Sequence, residues 1–254
     1  QSAVVRVQIP GEGEVHGVTE SFGSWARGRR RIAGRRSPLA AVGALALLAA
    51  TVSVGLSVAA PTPAAAVPAA VVPVAAGGSH SCALTAAGGV KCWGFNGDGQ
   101  LGSGSTSSST PVDVSGLASG VTAVAAGALY SCALTSAGGV KCWGSNISGQ
   151  LGNGSTTQST TPVDVSGLAS GVTAVDAGDS HSCAVTSAGG VRCWGYNGNG
   201  QLGNGSTTDS ATPVEVSGLG SGVIALAAGS THPCAVTPAG EAMFWVRNSD
   251  GEVV

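Results

Sequence analysis

Only 9% of the 254 side chains are charged, and the formal net charge is −2. Seven of the eleven Lys and Arg precede residue 37, so that from Val67 onward four basic residues stand against ten acidic ones. A stretch about six charges negative lacks the cationic footprint that phosphate backbones require, which argues against nucleic acid as a partner. The 42 glycines follow no triplet period, so tight turns account for them better than a collagen-like rod.

Residues 1–37 read as a basic leader without stable structure, ending in the cluster Arg27 to Arg36. The apolar run Leu39 to Ala60 follows, then Pro61-Thr62-Pro63-Ala64-Ala65-Ala66, with small residues where a signal peptidase cuts. Residues 38–66 thus have the basic, apolar and A-x-A layout of a secretory signal. The run of about 22 residues is also long enough to span a bilayer, so a membrane anchor retained at 39–60 is the alternative. Its Ala- and Gly-rich composition and the cleavage region favour removal. A chain opening on Gln1 reads as a fragment, or as a frame opened too far upstream with Val18 as a candidate start.

Residues 67–254 repeat with a period of 50 to 51 residues. His80-Ser81-Cys82-Ala83-Leu84 and Lys91-Cys92-Trp93-Gly94 return as Ser131 to Leu134 with Lys141 to Gly144, and as Ser182 to Val185 with Arg192 to Gly195. A fourth, incomplete copy keeps Cys234-Ala235-Val236 and Phe244-Trp245. Each copy holds four short apolar stretches between turn signals; in the second they are 121–126, 130–135, 140–143 and 162–165. Four strands at roughly 10-residue spacing predict an all-β blade. The first stretch is apolar at both parities and is expected to be buried on both faces. The last, Pro111-Val112-Asp113-Val114, alternates and suits an edge. The Gly pairs at 88–89, 138–139 and 189–190 close a hairpin between the second and third.

The pattern Gly-x-x-His-Ser-Cys-Ala-Leu, then Val-Lys-Cys-Trp-Gly-x-Asn-x-x-Gly-Gln-Leu-Gly, runs through 77–102, 127–152 and 178–203. It resembles the regulator of chromosome condensation repeat, from Val71 to the end of the chain. The resemblance implies a β-propeller of four-stranded blades, about seven in a closed ring. This chain holds three full repeats and one partial one, hence a partial propeller of about three to four blades with open edges. Either further blades belong to a longer sequence, the favoured reading, or two chains complete one ring as a homodimer. The family's founding member is a nuclear exchange factor for a small GTPase, and secreted bacterial relatives look like protein-binding propellers, some of them inhibitors of β-lactamases. The export signal places this chain with the latter.

The cysteines fall as Cys-x9-Cys in three copies. A hairpin centred on Ala87 sets Cys82 opposite Cys92, and the same arithmetic sets Cys132 opposite Cys142 and Cys183 opposite Cys193, within disulfide reach. Three bridges, formed in an oxidising compartment, follow; the ligand spacing of a zinc site is absent. Cys234 is left without a partner in its own repeat.

His80, Tyr130, His181 and His232 occupy one repeating slot. A ring of metal or catalytic imidazoles is one reading. A hydrogen-bonded residue tying each blade to its turn is the other, and Tyr130 favours it because both rings donate. Trp93, Trp143, Trp194 and Trp245 read as interblade core, with the stems of Lys91 and Lys141 along the indoles. The strings Asn96 to Gln100 and Asn197 to Gln201 lack the acidic spacing of a calcium loop and read as turns. No cofactor is implied, and no nucleophile elbow, phosphate loop or metal-protease helix supports an enzyme.

Function is then expected where the copies differ. One set is Phe95, Ser145, Tyr196 and Arg247; a second is Gly78, Ala128, Asp179 and Ser230; a third is Asp98, Ser148 and Asn199. Phe95, Tyr196, Asp179, Asp98 and Arg247 are the candidate contacts for an extracellular or cell-surface protein. Drift in loops accounts for the differences equally well. A carbohydrate or cell-wall module, and an exchange-factor-like propeller, are the alternative functions.

Overall fold

The computed structural model describes residues 73–246 and, as backbone, 3–8. The leader beyond that strand, the apolar run with its cleavage region, and Arg247 lie outside the described residues. Among the described residues there are strands and no helix, so no helix is long and apolar enough to cross a membrane.

Four antiparallel four-stranded sheets follow the repeat. The first blade is β2 (Val74–Ala76), β3 (His80–Leu84), β4 (Val90–Gly94) and β5 (Ser108–Asp113). The second is β6 (Val121–Ala126), β7 (Tyr130–Thr135), β8 (Val140–Gly144) and β9 (Ser159–Asp164). The third is β10 (Val172–Ala177), β11 (His181–Thr186), β12 (Val191–Gly195) and β13 (Ser210–Glu215). The fourth takes β14 (Ala225–Ala228), β15 (Pro233–Val236) and β16 (Glu241–Val246) from its repeat. Its outer strand is β1 (Ala3–Gln8), from the other end of the chain, which pairs with β16 from Ala3↔Val246 to Gln8↔Glu241. This corrects the leader at 3–8, where a strand stands; it covers the free edge of β16 and becomes the outer edge of the last blade.

The hairpin arithmetic holds residue for residue: Cys82↔Cys92, Cys132↔Cys142 and Cys183↔Cys193 are cross-strand partners. Their sulfurs lie at bonding distance, 2.06, 2.07 and 2.09 Å apart, and all six residues are fully buried. In the fourth blade Cys234 faces Phe244 and stays free, with burial pushing its thiol pKa up.

Three apolar clusters make the core, and each spans two neighbouring blades. Leu101 and Val114 of the first blade join Ala133 and Trp143 of the second; Leu151 and Val165 of the second join Ala184 and Trp194 of the third. No blade buries its own apolar face, the condition that makes repeats stack. On the first blade the equivalent face is open: Val74 is 64% exposed, and Trp93 is half-buried where Trp143, Trp194 and Trp245 are fully buried.

One side-chain expectation changes. The inner strands pack on both neighbours, Val124 and Val175 against the preceding blade and Ala123 and Ala174 against the next, but these four are only half-buried, and Thr122 and Thr173 are exposed. The Lys91 and Lys141 ammonium groups turn to Asp113 (2.7 Å) and Asp164 (2.6 Å), and Arg192 turns to Glu215 (3.1 Å). The register sets each acid directly across the outer strand pair, so a carboxylate takes the charge at the end of each stem. At this exposure each pair contributes about 0.2–1 kcal/mol.

Candidate interaction face

Successive connections in an antiparallel meander alternate between its two ends. The turn between the first two strands (77–79 in the first blade) therefore shares an end with the connection from third to outer strand (95–107). Backbone bonds tie the two together: Phe95 N–H donates to Ser79 O (2.9 Å), Ser145 N–H to Leu129 O (3.0 Å) and Tyr196 N–H to Ser180 O (2.9 Å). All described members of the three variable sets stand at this end.

At the axis the repeating Gly-x-x-His/Tyr has a steric cause. A Cβ on Gly77, Gly127 or Gly178 would lie 2.5, 2.1 or 2.3 Å from the ring of His80, Tyr130 or His181. The same Cβ would sit 2.4 to 2.6 Å from the carbonyl oxygen of the glycine in the next blade. The rings of His80 and Tyr130 reach onward to the following blade rather than to their own turn. His80 Nε2 bonds Ser131 Oγ (2.7 Å), whose hydroxyl donates to Gln100 O (3.0 Å). The His80 Nε2–H is accordingly the donor, and Nδ1 is left buried without a partner. Tyr130 OH donates to His181 O and accepts from Ser182 Oγ (3.0 Å). His181 Nε2 has no partner: in the fourth blade Pro233 stands where the others have serine, and the acceptor is lost. Burial lowers both His80 and His181 to about 4; for His181 the Asp179 carboxylate works against this and His232 adds to it. Both imidazoles are buried and neutral, with His80 bonded to the next blade, and among the described residues no three His, Cys, Asp or Glu are placed to share a metal ion.

The connection from third to outer strand is held from within. Asn96, Asn146 and Asn197 accept from the N–H of Leu101 (2.7 Å), Leu151 (2.9 Å) and Leu202 (2.9 Å), while their amides donate to backbone carbonyls across the loop. The loop then caps its successor. Trp143, Trp194 and Trp245 donate from the indole to the carbonyls of Gln100 (2.8 Å), Gln150 (2.9 Å) and Gln201 (2.8 Å). The last glycine of each Gln-Leu-Gly has φ of 60 to 69°, and a Cβ there would lie 2.6 to 2.7 Å from that indole. Shape and hydrogen bond act on one residue, so Trp194→Ala is expected to cost about 4 kcal/mol, read as a lower urea midpoint at unchanged slope. A loss below about 1 kcal/mol would contradict the cap.

Of the predicted contacts, Phe95 and Tyr196 are 48% and 38% exposed. Asp98 is half-buried, its N–H donating to Gln100 Oε1 (3.0 Å). Asp179 is exposed and takes a hydrogen bond from Ser230 Oγ. The second set comes together: Gly78, Ala128, Asp179 and Ser230 all line an axial groove of about 310 Å³. The first set does not behave as one, because Ser145 is buried. Its place is taken by Ile147, 81% exposed, which sequence comparison overlooked. The signal was two residues on: where Phe95 or Tyr196 is present, Gly97 or Gly198 follows and the ring lies over it, whereas Ser145 is followed by Ile147. Each of these three blades thus presents one large apolar side chain from this loop.

Known proteins share both sequence and architecture. The Ultraviolet-B receptor UVR8 of Arabidopsis thaliana is 37% identical over 177 residues, 68% of this chain and 40% of that protein. Human E3 ubiquitin-protein ligase HERC2 is 37% identical over 186 residues, 71% of this chain and 4% of that protein. Human WBSCR16 superposes with a TM-score of 0.62 at 30% identity, over 70% of this chain and 48% of its own. Yeast RCC1 (Prp20), in a crystal structure with Kap60, gives 0.61 at 24%, over 69% and 43%. The chain spans less than half the length of each. Residues 87–134, 137–185 and 188–236 match the Regulator of chromosome condensation (RCC1) repeat, and a second description of it matches 71–100, 121–150 and 172–201. With four-stranded blades whose cores lie between successive repeats, this chain belongs to the RCC1 repeat family.

Proposed function

We propose that this chain is a secreted or surface-exposed β-propeller scaffold that binds a protein partner through the variable loops at one end of its blades, by recognition rather than catalysis. The observation that carries this reading is a division within the repeat. The Trp, the paired cysteines and the Gln-Leu-Gly are repeated and buried, while the residues that differ gather at one end and expose Phe95, Ile147 and Tyr196. Exposed aromatic and aliphatic side chains on a rigid frame are the usual anchors of protein interfaces. Ile147 favours a protein over a sugar, since an aliphatic side chain offers a carbohydrate ring no stacking face. Three cysteine pairs inside the interblade cores support an oxidising compartment.

A photo-cross-linking residue placed at Ile147, and separately at Ala188 on the hairpin at the opposite end, tests this in the source cells. One discrete extracytoplasmic protein joined from 147 and not from 188 is expected. Equal products from both positions, or products confined to the cytoplasm, would sink the reading.

A further inference from the structure

Resting on that reading, we propose that the loop end recognises a cationic protein segment: a Lys or Arg side chain enters the axial groove toward Asp179, while apolar side chains beside it pack on Phe95, Ile147 and Tyr196. Two observations meet here. The groove walls are main chain and small side chains, Gly77, Gly127, Gly178 and Gly229 among them, and Asp179 is its carboxylate. The methylenes of Lys or Arg can lie along such walls while the charged head reaches the acid. The second observation is charge. The described loops at this end contain Asp98, Asp179 and Asp209 and neither Lys nor Arg, while Arg247 of the fourth blade lies outside the described residues. Among the described residues 73–246 the cations Lys91, Lys141 and Arg192 are engaged by acids of the outer strands. A surface of one sign steers its opposite and repels its like, so a second copy docking through the same end is disfavoured.

The apolar row is kept by substitution. Ser145 gives up the ring and Ile147 replaces it, although glycine stands at that position in both neighbouring blades. Nothing in the scaffold requires this exchange, since Ile147 projects into solvent. It preserves one apolar contact per blade at matched positions, which suits a segment lying across the three loops.

The test is selection of a randomised 12-residue peptide library on the full chain, followed by affinity measurement on Asp179→Asn, Ile147→Ser and, as a charge control on the outer strand, Asp164→Asn. Enriched peptides are expected to combine Lys or Arg with apolar residues. They should weaken about tenfold or more on Asp179→Asn and on Ile147→Ser, keep their affinity on Asp164→Asn, and lose affinity as salt rises. Neutral or acidic peptides that depend on Ile147 and ignore Asp179→Asn would overturn the cationic assignment while a protein-binding face still stands. Peptides indifferent to both substitutions, or no enrichment at all, would overturn both.

Discussion

Complete reduction of the three cysteine bridges is expected to remove about 6–9 kcal/mol of stability. Each closes a loop with a sequence separation of 10, for which restriction of the unfolded chain contributes about 2–3 kcal/mol. A domain of this size has about 5–15 kcal/mol in total, so the reduced protein should be unfolded or nearly so at physiological temperature. The sulfurs lie inside the interblade clusters. Reductant therefore reaches them only when two blades part, and reduction without denaturant should be slow and then abrupt. Thiol titration in denaturant is the check: one reactive group per chain, Cys234, before reduction and all seven after it. Seven before reduction, or an unchanged urea midpoint after it, would refute both the bridges and the compartment inferred from them.

Acid should weaken the array through two groups. His80 and His181 are held neutral by burial, near 4 in the folded protein against an ordinary 6.5. The folded pKa is the lower one, so between these values the unfolded chain binds protons that the folded chain refuses. Stability is then complete above about pH 6.5 and falls as pH drops toward 4, where the effect of these groups levels off. Each contributes about 3 kcal/mol across that window, as an order of magnitude. Urea midpoints at pH 7.0 and 4.5 measure it, with His80→Gln and His181→Gln each expected to shallow the decline. A midpoint indifferent to pH down to 4.5 would mean that these imidazoles are not buried and neutral as described above.

The blade itself was legible in the sequence because its determinants are local. Period-two apolar stretches and the Gly pairs set the hairpin, and a hairpin leaves one arithmetic for Cys82 and Cys92. What joins the blades was not legible, because each motif spans two structural units. Gln-Leu-Gly follows Trp within a repeat, yet it caps the Trp of the next one, and no spacing inside a single copy shows this. The His80 bond to Ser131 and the loss of its equivalent at Pro233 are hidden for the same reason. Ile147 escaped because aligned columns compare residues at one position, whereas the surface is filled from either of two. Ala3–Gln8 escaped because six alternating residues carry no sign of a partner more than 200 positions away.

The caps also have a direction in time. Each loop that covers a tryptophan is made before the tryptophan it covers, since Gln100 precedes Trp143, Gln150 precedes Trp194 and Gln201 precedes Trp245. A chain emerging from its N-terminal side therefore offers every new blade a finished surface to land on, and no half-built core waits long for its lid.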